Sequence, residues 1–288
     1  MTADAEEPGS AKTPWSDPVA GDRSADAADA AYRLDTSTAH PARVYDYWIG
    51  GKQNFAADRD VADRMAEAMP GVPLLARANR AFLGRAVRYV AGQGVTQFLD
   101  LGAGLPATGN THEIAQSVHP DAAVVYVDND PLVTVHGRAL LADEARTRVF
   151  EADLRDPESV LGHPHVTGLI DFERPVGLLL AAVLHFVADD ADPAGILAAF
   201  TKRLAPGSHL VISHAGSDLL PVDEARLRPI YQTSSTGAVR DHAEVSAFFE
   251  GFDLVEPGLV RIPLWRPDEA PPEDLSQYWL YGGVGRKR

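Results

Sequence analysis

The chain has 288 residues, 45% of them hydrophobic, so it can bury a substantial core. It carries 41 acidic against 26 basic residues, a formal net charge of -15, which argues against nucleic-acid binding. The absence of cysteine excludes disulfides, thiolate zinc sites and a Cys nucleophile, and no spacing among the ten His residues resembles a metal site. The longest apolar run is too short to span a membrane. We therefore expect a soluble, cytoplasmic protein that binds neither nucleic acid nor membranes.

The N-terminal third of the chain changes character twice. Residues 1–31 are rich in Ala, Asp, Ser, Pro and Gly and offer little apolar surface, which predicts a disordered tail. Apolar residues then recur at helical spacing on both sides of a break at Gly50 and Gly51. We predict that residues 32–92 form a helical cap in front of a main domain over residues 93–288.

In the main domain, apolar segments alternate with segments of helical pattern, which indicates parallel βαβ units in a sheet covered on both faces. The predicted strands are 97–101, 123–128, 148–151, 176–183 and 209–214. Helices between them are predicted to begin near Asn110, Pro131, Pro157 and Pro193. Residues 223–251 show helical patterns, and residues 252–265 and 276–287 are predicted to add an antiparallel pair at one sheet edge.

A glycine-rich turn follows the first predicted strand, in FLDLGAGLPATGNTHEIAQ at residues 98–116. A strand, such a turn and a helix N-terminus together present backbone N–H groups to a ligand. Gly102, Ala103 and Gly104 form the turn, where glycine lets the backbone bend and approach a ligand closely. The turn satisfies the G-x-G-x-x-A pattern of dinucleotide sites, but Pro106 removes one N–H donor, which counts against a pyrophosphate.

Each of the first three predicted strands leads into an aspartate. Asp100 would repel a pyrophosphate but suits the ammonium group of an amino-acid moiety. Asp128, followed by Asn129, suits two ribose hydroxyls. Asp153 and the Leu154 N–H suit the edge of an adenine ring. A single aspartate of this kind is more typical of a turn or a helix cap, but the succession favours S-adenosyl-L-methionine as cofactor.

Further candidates border the expected site. The fourth strand leads through Ala181 to His185, which is the candidate general base if the acceptor is a hydroxyl or a protonated amine. Alternatively, His185 is a polar residue at the end of the strand with no role in catalysis.

In the N-terminal segment, Tyr45, Tyr47 and Asn54 are candidates for a lid or a substrate contact, and Arg43 is a candidate for an anionic substrate group. Helix packing and surface ion pairing are the alternatives for these four residues.

Four segments resemble, in order, the cofactor motifs of class I S-adenosylmethionine-dependent methyltransferases: FLDLGAGLPATGNTHEIAQ, VVYVDNDP, FEADLRDP and VGLLLAAVLHFV. The flanking ARVYDYWIGGKQNFAADRDVADRM and GFDLVEPGLVRIPLWRP resemble the actinobacterial S-adenosyl methyltransferase family first catalogued as a domain of unknown function. Pro106 departs from the class motif, which carries a glycine there.

The resemblance implies a Rossmann-like fold with a mostly parallel seven-stranded sheet, an antiparallel edge pair and an N-terminal helical extension. It implies S-adenosyl-L-methionine as cofactor but leaves the methyl acceptor open, and we expect in-line transfer to a small molecule. Two alternatives stay open. An NAD(P)-dependent oxidoreductase would use the turn and Asp128 but would give Asp100 and Asp153 no role. A catalytically silent sensor or scaffold would keep every motif and lack an acceptor pocket.

Overall fold

The computed structural model describes residues 35–141, 144–222, 225, 229–230 and 237–288. The predicted tail over residues 1–31 lies outside these residues, as does most of the helical pattern predicted near residues 224–232. Among the described residues, no helix is both long and apolar enough to cross a membrane.

A mixed sheet of eight strands forms the centre of the molecule, with the order β3-β2-β1-β4-β5-β8-β6 and with β7 also paired to β8. The strands are β1 Gln97–Leu101, β2 Ala123–Asp128, β3 Thr147–Glu151, β4 Gly177–Ala181, β5 His209–Ala215, β6 Phe252–Leu254, β7 Val260–Arg261 and β8 Leu280–Lys287. Strands β1 to β5 are parallel, whereas β8 runs antiparallel to β5, β6 and β7. The predicted fold class is therefore confirmed.

Two details of the sheet differ from the prediction. The sheet has eight strands and not seven, because the two-residue β7 pairs with β8 beyond the end of β6. Strand β4 ends at Ala181 and not near Val183, because Ala182 adopts a left-handed conformation with φ of 56° that an extended strand cannot contain.

Helices surround the sheet and several begin at a proline, where the missing N–H would have no helical partner. The helices in the described ranges are α1 Pro41–Trp48, α2 Ala56–Ala68, α3 Val72–Gly92, α4 Thr111–Val118, α5 Pro131–Leu140, α6 Pro157–Gly162, α7 Pro164–Leu169, α8 Pro193–Arg203 and α9 His242–Ala247. The Asp130 side chain caps α5 by accepting the Leu132 N–H at 2.9 Å.

Alternating side chains of the strands form a core on each face of the sheet. In β2, Val124 and Tyr126 belong to one core cluster, and Val125 and Val127 belong to the other. Helix α3 packs on the first face through residues such as Phe82, so it shares a core cluster with β1 and β2. The predicted domain boundary at residue 92 stays a prediction.

Candidate active site

A cavity of about 310 Å³ lies where the carboxyl ends of β1 to β4 meet. The chain crosses from the β1–β2–β3 side of the sheet to the β4–β5 side at this point, so the loops that follow β1 and β4 diverge and leave a crevice. All of the residues predicted to bind the cofactor line this cavity: Asp100, Gly102, Ala103, Gly104, Asp128, Asn129, Asp153, Leu154 and Ala181. We call it the larger cavity.

The glycine turn needs both of its glycines, for different reasons. Gly102 and Gly104 have φ angles of 69° and 68°, in the left-handed region that favours glycine. A Cβ atom on Gly102 would also lie 2.2 Å from Cγ2 of Val183, whereas a Cβ on Gly104 would meet no protein atom within 4 Å. Steric fit therefore fixes Gly102, and backbone conformation alone fixes Gly104.

The carboxylate of Asp128 joins the glycine turn to the loop after β2. It accepts the Gly104 N–H at 2.8 Å through Oδ2 and the Asp130 N–H at 2.9 Å through Oδ1. Burial raises the pKa of Asp128, and these two N–H groups partly oppose the rise. Each carboxylate oxygen keeps a further lone pair, so Asp128 can still accept hydroxyl groups from a ligand.

Asp100 is buried at the end of β1 with little to stabilise its charge. Within the described residues it has one hydrogen bond, from the Thr111 hydroxyl to Oδ2 at 2.7 Å. Burial raises its pKa to about 6, although the Thr111 hydrogen bond and the charge of Arg80 oppose the rise. A cation in the larger cavity would relieve this cost, so the site fits a ligand with an ammonium group.

A family model described as S-adenosyl methyltransferase matches residues 27–288, nearly the whole chain. The chain belongs to this S-adenosyl methyltransferase family. It is therefore an S-adenosylmethionine-dependent methyltransferase, and the charges and the turn described above fit that cofactor.

Two solved structures resemble this methyltransferase closely. One is a candidate methyltransferase from Thermobifida fusca YX, with 45% sequence identity and a TM-score of 0.84 over 88% of this chain and 97% of the other. The other is a DUF574 family protein from Streptomyces avermitilis MA-4680, with 43% identity and a TM-score of 0.85 over 89% and 100%. A search of curated proteins gives no match to the sequence.

Asp153 of the methyltransferase is held by Arg155, which was not among the predicted site residues. Arg155 donates to both carboxylate oxygens of Asp153, through Nε at 3.0 and 2.9 Å and through Nη2. Burial raises the pKa of Asp153, but the hydrogen bonds from Arg155 outweigh burial and the net shift is downward. The carboxylate is thus oriented at the rim of the larger cavity, and a ligand amine there would share it with Arg155.

Helix α3 adds Asn79, Arg80 and Leu83 to the larger cavity, and none of them was predicted. Arg80 donates to the Gly109 carbonyl at 3.0 Å and lies close enough to Asp100 to lower its pKa. Asn79 is a buried polar residue on a helix side otherwise made of apolar residues such as Phe82. That break in the apolar stripe was the signal in the sequence that could have revealed this wall.

Of the N-terminal candidates, Tyr45 lines the larger cavity and Arg43 does not. Arg43 is buried, donates to the Asp35 and Thr38 carbonyls at 3.0 and 3.2 Å, and places Nε 3.1 Å from Oδ2 of Asp130. It therefore ties the chain before α1 to the loop after β2.

Tyr47 and Asn54 also lie outside the larger cavity. Tyr47 is half-buried and packs against a core cluster. Asn54 donates to the Asp46 carboxylate at 2.9 Å and to the Gly51 carbonyl at 3.1 Å. The structure thus gives Asn54 contacts within the N-terminal segment and packs Tyr47 against the core.

His185 lines a second cavity of about 140 Å³, which we call the smaller cavity. Pro41, Tyr45, Ala182 and Phe186 line both cavities, so the two are neighbours with a common wall. In the part of the chain that the structure describes, no cluster of His, Asp and Glu could hold a metal ion.

Proposed function

We propose that this methyltransferase transfers the methyl group in line to a small-molecule acceptor, with the cofactor in the larger cavity and the acceptor in the smaller one. The observation that carries the proposal is the common wall of Pro41, Tyr45, Ala182 and Phe186, which brings a largely apolar cavity beside the charged one. A concave cavity of about 140 Å³ suits a small molecule rather than a macromolecular surface.

The larger cavity offers a complementary group for each polar part of the cofactor. Asp100 pairs with the ammonium group of the amino-acid moiety, and Arg80 pairs with its carboxylate through N–H donors that its carbonyl contacts leave available. Asp128 accepts the ribose hydroxyls. Asp153 and the Leu154 N–H address the adenine edge. When bound, the cofactor supplies an electrophilic methyl group on a sulfonium.

The protein's share of the reaction is positioning. Residues of the common wall would hold the acceptor beside the larger cavity, and a fixed approach to the cofactor would supply much of the rate through proximity and orientation. The apolar lining of the smaller cavity excludes water from the acceptor.

Two alternative functions for the same motifs agree less well with the two cavities. A dinucleotide would place a pyrophosphate near the buried carboxylate of Asp100, which repels it. A silent sensor would need only the larger cavity, and the smaller cavity beside it would then be unused space. We therefore favour catalysis.

Cofactor titration tests the first half of the proposal. By isothermal titration calorimetry, S-adenosylhomocysteine should bind and NAD should not. Asp128→Asn should weaken binding of S-adenosylhomocysteine by about 10- to 100-fold, because one charge-assisted acceptor is lost. Asp63→Asn removes an exposed carboxylate on α2 and is the matched control. Binding of NAD, or equal affinity in Asp128→Asn, would contradict the proposal.

Label transfer tests the second half. A cell extract is incubated with the protein and methyl-labelled S-adenosylmethionine, and its components are then separated by size. Label in the low-molecular-weight fraction supports a small-molecule acceptor. Label found only in protein or nucleic acid would sink that part of the proposal.

A further inference from the structure

The smaller cavity is lined mostly by apolar side chains in the part of the chain that the structure describes. Its walls come from α1, α2 and α3 and from the ends of β4, β5 and β8, with Val44, Met65, Leu75, Phe186 and Trp279 as examples. Among the described residues that line it there is no Asp, Glu, Lys or Arg. A charged ligand would lose hydration here and gain no counter-charge from these lining residues, which disfavours its binding.

The volume of the smaller cavity limits what it can hold. Its 140 Å³ is close to the volume of about 150 Å³ at which an apolar protein cavity stays dry and accepts benzene. One six-membered ring with a small substituent therefore fills it.

The polar side chains in the walls of the smaller cavity differ in whether their hydrogen-bonding groups already have a partner in the protein. The Tyr45 hydroxyl donates to the Ala76 carbonyl at 2.7 Å and accepts from Asn79 Nδ2 at 3.1 Å. The Trp48 indole donates to the Ala62 carbonyl at 3.2 Å. In contrast, the His185 ring has no hydrogen-bond partner among the described residues, and its Nδ1 is buried. Because Nδ1 is out of reach from the cavity, the ring nitrogen left for a ligand is Nε2, which can form a hydrogen bond with a polar group of the acceptor.

The surroundings of His185 keep its imidazole uncharged. Burial lowers the pKa of His185 well below its usual value, and the neighbouring His214 and Arg240 lower it further. The rings of His185 and His214 stand edge to face with centroids 5.5 Å apart. Arg240 is fixed in place by the Val187 carbonyl at 3.0 Å and by the Asp189 carboxylate at 2.6 Å. His185 is therefore a neutral hydrogen-bonding group, and a cationic form is disfavoured.

We infer that the methyl acceptor is a neutral, largely apolar molecule about the size of one aromatic ring, which binds in the smaller cavity with a single polar group against His185. This inference rests on the proposed function, because it takes the smaller cavity as the acceptor site. It assigns His185 to binding and orientation of the acceptor, and a neutral imidazole in that position can also accept the proton that a hydroxyl acceptor releases when it is methylated.

Three probes of matched size and different charge test the inference on the full chain: phenol, benzoate and benzylamine. Each is titrated by ligand-observed NMR with and without S-adenosylhomocysteine. We expect phenol to bind at least about tenfold more tightly than either charged probe at pH 7.5. Equal or tighter binding of benzoate or benzylamine would overturn the inference.

The His185 contact is tested with His185→Leu and with toluene, which lacks the hydroxyl group of phenol. The variant should bind phenol about 2- to 10-fold more weakly, the effect of one net hydrogen bond, and should bind toluene no more weakly than wild type does. A loss that is the same for both probes would show that His185 only shapes the cavity.

Filling the cavity provides an independent test. Ala76→Leu puts bulk into the smaller cavity from α3, and Ala81→Leu makes the same change on the exposed side of that helix. Ala76→Leu should abolish phenol binding and leave the affinity for S-adenosylhomocysteine unchanged, since Ala76 does not line the larger cavity. Ala81→Leu should change neither. Val72→Phe fills the same space if Ala76→Leu fails to fold.

The two proposals fail in different ways. If wild type binds S-adenosylhomocysteine but Ala76→Leu still binds phenol, the inference about the acceptor is wrong and the proposed cofactor site stands. If wild type does not bind S-adenosylhomocysteine, the proposed function is wrong, and the phenol titration without it still decides what the smaller cavity binds.

Discussion

Asp100→Asn should make the ligand-free protein more stable and make it bind the cofactor less tightly. Asn has the same size and keeps an oxygen that can accept the Thr111 hydroxyl, whose distance to Oδ2 of Asp100 is 2.7 Å. The substitution thus removes the buried charge with little change in packing. Opposite effects on stability and on affinity are the signature of a charge kept for a ligand.

The size of the stability effect follows from the pKa of Asp100. Burial raises this pKa from 3.8 to about 6, which corresponds to about 3 kcal/mol of destabilisation when the carboxylate is ionised. A carboxyl group whose pKa is higher in the folded state stabilises the fold below the unfolded-state pKa, and this contribution is lost as the pH rises through about 6. We therefore expect Asp100→Asn to gain up to about 3 kcal/mol at pH 8 and almost nothing at pH 4.

The loss of affinity should show the same pH window. A charge-assisted hydrogen bond contributes about 1.5–3 kcal/mol, so Asp100→Asn should bind S-adenosylhomocysteine about 10- to 150-fold more weakly at pH 8. As the pH falls through about 6, wild type loses the same charge by protonation and its affinity should approach that of the variant.

Urea unfolding without ligand and calorimetric titration, each at several pH values, measure the two effects. Asp63→Asn, which removes an exposed carboxylate on α2, controls for the general effect of net charge. The reasoning fails if Asp100→Asn is less stable than wild type at pH 8 without ligand. It also fails if the variant binds S-adenosylhomocysteine as tightly as wild type does.

Two further substitutions test the walls of the site by urea unfolding. Gly104→Ala should lower the free energy of unfolding by about 1–2 kcal/mol, the cost of a left-handed backbone at a non-glycine residue. Gly102→Ala should lower it by several kcal/mol more, because only its new methyl group collides with Val183. Equal losses would contradict the steric argument. Arg43→Met removes a buried cation and leaves Oδ2 of Asp130 with His40 Nδ1, at 3.2 Å, as its remaining partner, so it should cost about 3 kcal/mol. Arg64→Met in an exposed ion pair should cost less than about 1 kcal/mol, and similar losses for the two variants would contradict a buried role for Arg43.

The sequence predicted the regular part of the fold well, because the strands of a covered parallel sheet are apolar along their whole length. The predicted bounds of β1 and β2 agree with the structure, and those of β3 and β5 differ by one residue. The two-residue β7 could not be predicted, since so short a segment has no periodicity. The early end of β4 depends on the φ angle of Ala182, a residue type that gives no warning of a left-handed conformation.

The larger cavity could be predicted in part for a topological reason. The carboxyl ends of parallel strands meet at one edge of the sheet, so acidic residues at the ends of successive predicted strands must lie near one another. No such rule places α3 at the cavity, and in the sequence Arg80 resembles an ordinary surface residue of an amphipathic helix. Arg43 and Asn54 were candidates for a substrate contact, with packing and ion pairing as the alternatives, and in the structure they pair with buried carboxylates and carbonyls nearby.

The smaller cavity could not be predicted at all, because its lining comes from segments that are distant in sequence and individually look like core. Its mostly apolar lining differs from the charged lining of the larger cavity beside it. In the proposed arrangement, the larger cavity holds Asp100, Asp128 and Arg80, each of which a zwitterionic cofactor can satisfy. A charged acceptor would compete for these same groups and would be drawn across the common wall into the cofactor's place. A neutral acceptor has no such attraction, so the separation of charge between the cavities itself directs the two molecules to their own sites.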